Sequence, residues 1–331
     1  MVSDTKERIC WIDVIKAICI FSVMYNHQPF AENWIRIDYF FLVGFFFCSG
    51  LTFNMNKGLK YRLVRIIDSL IIPYFLLTSL VFFLYANNLK GLFNGNFQVV
   101  FDYWRDVVEG RFAWFVPCLI SVEIIYAISV KYKIQRYVVV GGAVLFVSGC
   151  LNGLSLPWHV DTALYSIIFF HMGYIMKDLL DPNFKTTLKE KGLLIPFVLV
   201  YLYASYILMK AYPFSTSVND FYNESLILIM NIVGIVLLVS VSKSITSNKY
   251  LNYLGKNTLS LFFIHVPFVY YIYQILNRFF DLNSPYIDNS ITGIIYVFAV
   301  SIIMYPIIHL LCKFNILVGK GHIIEHFVYR K

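Results

Sequence analysis

Residues 9–30 read ICWIDVIKAICIFSVMYNHQPF, and this stretch decides the fold. As a helix it would span about 33 Å at 1.5 Å per residue. Roughly 20 mostly apolar residues suffice to cross a hydrocarbon core about 30 Å thick. Its apolar residues form a block, whereas a surface helix of a soluble protein carries a one-sided stripe. Asp13 and Lys16 interrupt the block, and it runs into Asn26-His27-Gln28-Pro29 without a small-residue cleavage site. A removable secretory signal has neither property. The segment is therefore expected to stay as a first membrane helix.

Such blocks recur along nearly the whole chain, which is 59% hydrophobic and 14% charged. An ordinary soluble domain carries about 25% charged residues, so the soluble reading is set aside. Hydropathy predicts spans near 9–30, 38–56, 66–86, 112–130, 136–152, 158–177, 192–211, 223–243, 256–278 and 290–313. Breaker signals such as Asn87-Asn88 and Asp181-Pro182-Asn183 lie between them. The expected fold is an all-α polytopic membrane protein of about ten transmembrane helices. It is read as one domain over 1–331, with a helical core of about 8–313 and a short tail, 314–331.

The cations test the topology. Of 27 Lys and Arg, 20 fall in one set of alternate loops with the two termini, six in the opposite set, and Lys16 lies inside a helix. The richer set is expected to be cytoplasmic. Both termini then face the cytoplasm, in a multi-pass protein of the cell membrane. The net charge of +8 is explained by this bias and implies no nucleic acid. Trp11 and Trp34, about 34 Å apart along a helix, have the spacing of interfacial anchors. The six cysteines lie in or beside apolar blocks without metal-ligand spacing. They are expected to be buried thiols, with no metal site and no disulfide framework. The long outer connection from Asn87 to Arg111 holds Trp104 and Arg105; connections of this length are commonly functional or disordered.

Ionisable groups within a bilayer mark sites and pathways. Lys16 and His27 are eleven residues apart, three helical turns and about 16 Å. Asp13 lies one turn from Lys16 on nearly the same face, where it can hold the ammonium charged. The competing reading is an Asp13–Lys16 pair at the interface with His27 at the outer water boundary. Arg62 and Arg65, one turn apart, can grip phosphates or act as a topogenic cluster. Glu123, mid-helix after Trp114-Phe115-Val116-Pro117, needs a buried partner; Lys16 and a histidine are candidates. His265 is deep enough to face the interior, and His171 and His309 lie nearer helix ends; each suits structural hydrogen bonding. His159, His322 and His326 read as interface or tail residues.

Taken in order, these residues resemble the membrane-bound acyltransferase family 3, which includes sugar O-acetyltransferases. The resemblance starts at Ile12-Asp13-Val14-Ile15-Lys16-Ala17 with its run to His27. That family opens with a basic residue, ten intervening residues and a histidine. Lys16 replaces the usual Arg, as in a subgroup similar to fucose 4-O-acetylases. Phe45-Phe46-Phe47-Cys48-Ser49-Gly50, Arg62-Leu63-Val64-Arg65 with Pro73-Tyr74, Trp114-Phe115-Val116-Pro117, and Leu254-Gly255 leading through Ser260 to His265 follow in the family's order. The match runs from about residue 8 to 313.

The resemblance implies an O-acetyltransferase with acetyl-CoA, or another short acyl-CoA such as succinyl-CoA, as donor substrate and no permanently bound cofactor. The acceptor would be a carbohydrate hydroxyl on a surface glycan or its lipid-linked precursor. Arg62 and Arg65 would hold the CoA phosphates, and the pantetheine arm would rise along the Lys16 stripe. His27 would act as general base or carry a transient acyl group. Asp13 and Lys16 would support it electrostatically, and Glu123, His265 and Trp114 would assist. Trp104 and Arg105 would form part of the acceptor surface. The rival class is a transporter or flippase without chemistry. A homo-oligomer is left open.

Overall fold

A computed structural model describes residues 10–28, 41–148, 150, 154–177, 188–211, 221–245, 248–280 and 290–329. Among the described residues the secondary structure is helical, without a strand. The helices are α1 (Cys10–Asn26), α2 (Phe41–Thr52), α3 (Gly58–Ile66), α4 (Ile72–Leu84), α5 (Ala86–Phe93), α6 (Gln98–Val108), α7 (Phe115–Lys131) and α8 (Gln135–Val147). They continue with α9 (Val160–Met176), α10 (Leu188–Ala211), α11 (Phe221–Ser244), α12 (Lys249–Lys256), α13 (Thr258–Asn277), α14 (Ser290–Leu311) and α15 (Ile323–Tyr329). Each stretch expected from hydropathy overlaps one of these helices. By length and composition, four described helical stretches can cross a membrane: Gly58–Leu84, Ser225–Ser244, Thr258–Asn277 and Thr292–Leu311.

The stretch α1 sits at the centre, packed against α2, α11, α12, α13 and α14. Its centrality explains why Asp13 is buried at 2% exposure, and it corrects one expectation. Trp11 is 2% exposed, so it is a core residue and not an interfacial anchor. The Lys243 ammonium lies 5.3 Å from the centre of its ring, a cation–π contact. Trp34 lies outside the described residues. Cysteines also divide: Cys19, Cys48 and Cys118 are buried as expected, but Cys10 and Cys150 are exposed.

Close helix crossings depend on missing side chains. Gly50 of α2 and Gly173 of α9 face each other's backbone. A Cβ on Gly50 would meet the Phe170 carbonyl, and one on Gly173 would meet the Phe47 carbonyl. Small residues let membrane helices approach in this way. Gly255 of α12 presses on the Asp13 backbone of α1 by the same means. The Ser-Gly and Leu-Gly segments thus have a packing reason.

Between α3 and α4 lies a π-helical turn, Ile67–Ile71. Pro73 brings no N–H to the ladder, and one turn earlier Ser69 Oγ donates to the Arg65 carbonyl at 2.6 Å. The helix begins at Gly58, eight residues before the span expected from hydropathy, because Lys60, Arg62 and Arg65 depress the apolar average without breaking the helix. The connection from Asn87 to Arg111 is also helical: α5 and α6 pair. Tyr74 donates to the carbonyls of Val107 (2.8 Å) and Phe112 (3.1 Å), and Tyr103 donates to Thr78 (2.6 Å). These bonds stitch α6 onto α4 and bring the segment after it to one end of α1.

Candidate active site

At the end of α1 the helix stops just before Gln28-Pro29, since the residue before proline avoids the α region. His27 closes the last turn, its N–H donating to the Met24 carbonyl at 3.1 Å. The imidazole is exposed and lines a partly open cavity of about 280 Å³. Small-molecule pockets run from roughly 300 to 1,000 Å³. This one therefore suits the reacting ends of substrates more than two whole molecules. Tyr85, Phe112, Trp114, Phe262 and His265 contribute to its walls, and its lining is mostly apolar.

His27 and His265 face each other with ring centres 5.1 Å apart, tilted by 59°. His265 is 2% exposed. Its Nδ1 lies 2.7 Å from the Phe262 carbonyl and 3.2 Å from that of Leu261. Trp114, 36% exposed, joins the wall from the start of α7. Phe115 behind it packs tilted against Phe45, Phe46 and Phe262 with ring centres 5.1–5.3 Å apart, and the ring centres of Phe262 and His265 are 5.9 Å apart. The aromatic residues at the end of α2 thus brace the cavity wall from behind.

The rim holds backbone strain. Ala113, Trp158 and His159 all have positive φ (48°, 57° and 49°). Such values are uncommon outside glycine and cluster at functional sites when surroundings enforce them. Here the enforcement is visible. Trp158 donates its N–H to the Glu109 carbonyl (2.9 Å) and its indole N–H to Val108 (3.0 Å), while Ser121 donates to the Trp158 carbonyl (3.0 Å). His159, expected as an interface residue, lies against Trp114 with ring centres 5.5 Å apart.

Other expected site residues lie elsewhere. Arg62 Nη2 and Glu123 Oε2 are 2.6 Å apart, and the guanidinium rests 4.5 Å over the Phe53 ring. The partner of Glu123 is therefore Arg62, where Lys16 or a histidine was expected. Asp13 is buried on α1, and Lys16 one turn further along is half-buried. Lys16 is within electrostatic reach of Glu123 and Cys48. Neither Lys16, Asp13, Arg62 nor Glu123 lines the cavity.

Arg65 is engaged by the C-terminal tail. Its Nη1 is 2.7 Å from His322 Nδ1 and 3.2 Å from Glu325 Oε2. Asp68, buried in the π turn, accepts the N–H groups of Ile324 (2.9 Å) and Glu325 (3.0 Å). Burial pushes the Glu325 carboxyl up, but hydrogen bonds from His322, Tyr61 and Arg65 outweigh it and hold it below the ordinary value. Asp68 was missed in the sequence although it stands inside an apolar run. Twenty residues separate Arg65 from Tyr85 of the cavity wall, about 30 Å of helix. Trp104 and Arg105 are likewise outside the cavity; Arg105 pairs with Asp102 at 3.1 Å on the surface of α6. His171 receives a structural contact from Tyr126 at 2.7 Å, and His309 is exposed on α14.

The two-histidine cavity and the ordered motifs now meet a family comparison. The model of a family described as an acyltransferase domain matches residues 9–309. The chain belongs to this family. No curated protein and no solved structure matches it. This membrane protein is accordingly an acyltransferase, and the transporter reading falls away. The match covers α1 through all but the last two residues of α14, including every residue of the cavity wall.

Proposed function

We propose that this acyltransferase moves an acetyl or other short acyl group from acyl-CoA to a hydroxyl of a surface glycan or its lipid-linked precursor, in the cell membrane. The single observation that carries the reading is His27, presented to a partly open, aromatic-walled cavity. An imidazole is the side chain whose ordinary titration lies nearest working pH. In the proposed step the acceptor hydroxyl gives its proton to His27 as its oxygen attacks the thioester carbonyl. A C–O bond forms, the C–S bond breaks, and the proton passes from His27 to the departing thiolate. In the competing version His27 itself takes the acyl group first. Tyr85 and Trp114 offer flat faces on which a sugar ring can rest.

The arginines enter this reading with a qualification of chemistry. Phosphates at Arg65 would compete with Glu325 for the same guanidinium, so donor binding and tail docking oppose each other. Arg62 is a partner of Glu123 first, and its contribution to phosphate binding would be long-range. The test is transfer by purified protein in bilayers, with labelled acetyl-CoA and succinyl-CoA supplied separately alongside glycan and lipid-linked acceptors. Labelled acceptor recovered with one donor supports the reading. Thioester loss and acceptor labelling no faster than in protein-free bilayers would remove it.

A further inference from the structure

The geometry points to His265 as the positioning partner of His27, an inference that rests on the acyl-transfer reading. The His265 Nδ1 faces two backbone carbonyls, Phe262 at 2.7 Å and Leu261 at 3.2 Å. A carbonyl only accepts, so this nitrogen carries the hydrogen and donates it. In a neutral ring the other nitrogen, Nε2, then bears a lone pair. Among the described residues that Nε2 is buried and has no hydrogen-bond partner, in a side chain only 2% exposed. A buried acceptor left unmade is unfavourable and calls for an explanation. His265 also lines the cavity into which His27 opens, and the two rings are 5.1 Å apart.

These observations assign a specific task. The exposed His27 ring turns, and its single N–H is accepted by His265 Nε2. Its opposite nitrogen then presents a lone pair to the cavity, where the acceptor hydroxyl lies. When His27 takes the hydroxyl proton, the same hydrogen bond holds the imidazolium until the thiolate recovers the proton. His265 gains and loses no proton in this cycle. A backbone carbonyl fixes its tautomer, as commonly happens for a histidine that directs another group, and the arrangement is the base-and-orienter logic of activated sites. The helical position of His265 supplies the constraint: the residue three positions earlier on the same helix provides the carbonyl, so the lone pair cannot be turned away without losing that bond.

Two variants and one spectrum test this. His265→Phe keeps ring volume and removes the acceptor; kcat is expected to fall about 100-fold, with the KM for acyl-CoA within twofold of wild type. His265→Gln places an amide oxygen near the Nε2 position and is expected to recover at least tenfold of that loss. A kcat for His265→Phe within threefold of wild type, or no recovery in His265→Gln, overturns the assignment. Independently of turnover, ¹⁵N spectra of histidine-labelled protein should show one ring with the hydrogen on Nδ1, absent from His265→Gln. An Nε2-protonated ring at this position overturns it as well. Because the spectrum needs no substrate, failure of the acyl-transfer reading and failure of this inference remain separable.

Discussion

Glu123→Gln is the most informative single perturbation of the bundle. It leaves the Arg62 guanidinium, whose side chain is 17% exposed, without its carboxylate at 2.6 Å. Breaking a buried ion pair from one side costs about 3–5 kcal/mol, because a charge stays buried and uncompensated. Exposed pairs contribute no more than about 1 kcal/mol. With 17% and 9% exposure the pair lies close to the buried limit, so we expect a loss of about 2–4 kcal/mol. The Phe53 ring under the guanidinium offsets a part of this. Reversible SDS unfolding in mixed micelles reads the change. The double variant Arg62→Met with Glu123→Leu removes both charges and is expected to recover most of the loss. It also separates structure from donor binding. If Arg62 only answers Glu123, stability and the KM for acyl-CoA both return; if Arg62 also senses phosphate, stability returns and KM stays high. A double variant no more stable than the sum of its single variants would refute the argument that this pair is held as a unit.

The Arg65–Glu325 side chains are 27% and 22% exposed, a geometry worth about 0.2–1 kcal/mol; Glu325→Gln should therefore lower the KM for acyl-CoA between about 1.4-fold and fivefold, whereas Arg65→Ala should raise it. The depressed Glu325 carboxyl gives the sign with pH: tail docking is complete above the ordinary carboxylate value and is lost as pH falls through the lower folded value, so protease access to the tail should stay constant from neutral pH down to that range and rise only below it. Gly50→Ala forces a methyl against the Phe170 carbonyl and should cost about 1–3 kcal/mol; Gly141→Ala in α8, with nothing near its Cβ, should be neutral or slightly stabilising in the same SDS titration.

The helical class was legible because a bilayer demands long apolar blocks, and such blocks survive without knowledge of packing. Their placement was not equally legible. Hydropathy does not say which helix is central, and so Trp11 read as an anchor when α1 is in fact surrounded. The cations on α3 lowered its apolar average, hiding a helix that runs from Gly58. The α5–α6 hairpin was not legible because its helices are short and mixed in character, and it is held to α4 through Tyr74 of that helix and its own Tyr103. Among site residues, His27 and Trp114 were visible through spacing and motif. The approach of His265 to His27 was not, since it joins α1 to α13 across more than 200 residues. Glu123 visibly needed a partner, but only the fold brought Arg62 to it. The tail was least legible: α15 has seven residues, too few for a periodic signal, and its docking relies on the lone buried Asp68 and on Arg65.

The central claim is that His27 performs the chemistry in the cavity at the end of α1. Its most direct test is acyl transfer by His27→Ala, measured against wild type in reconstituted bilayers at matched protein amounts, with insertion checked by protease protection. We expect insertion to be unchanged and transfer to fall by about two to four orders of magnitude. Transfer by the inserted variant within a few-fold of wild type would contradict the account.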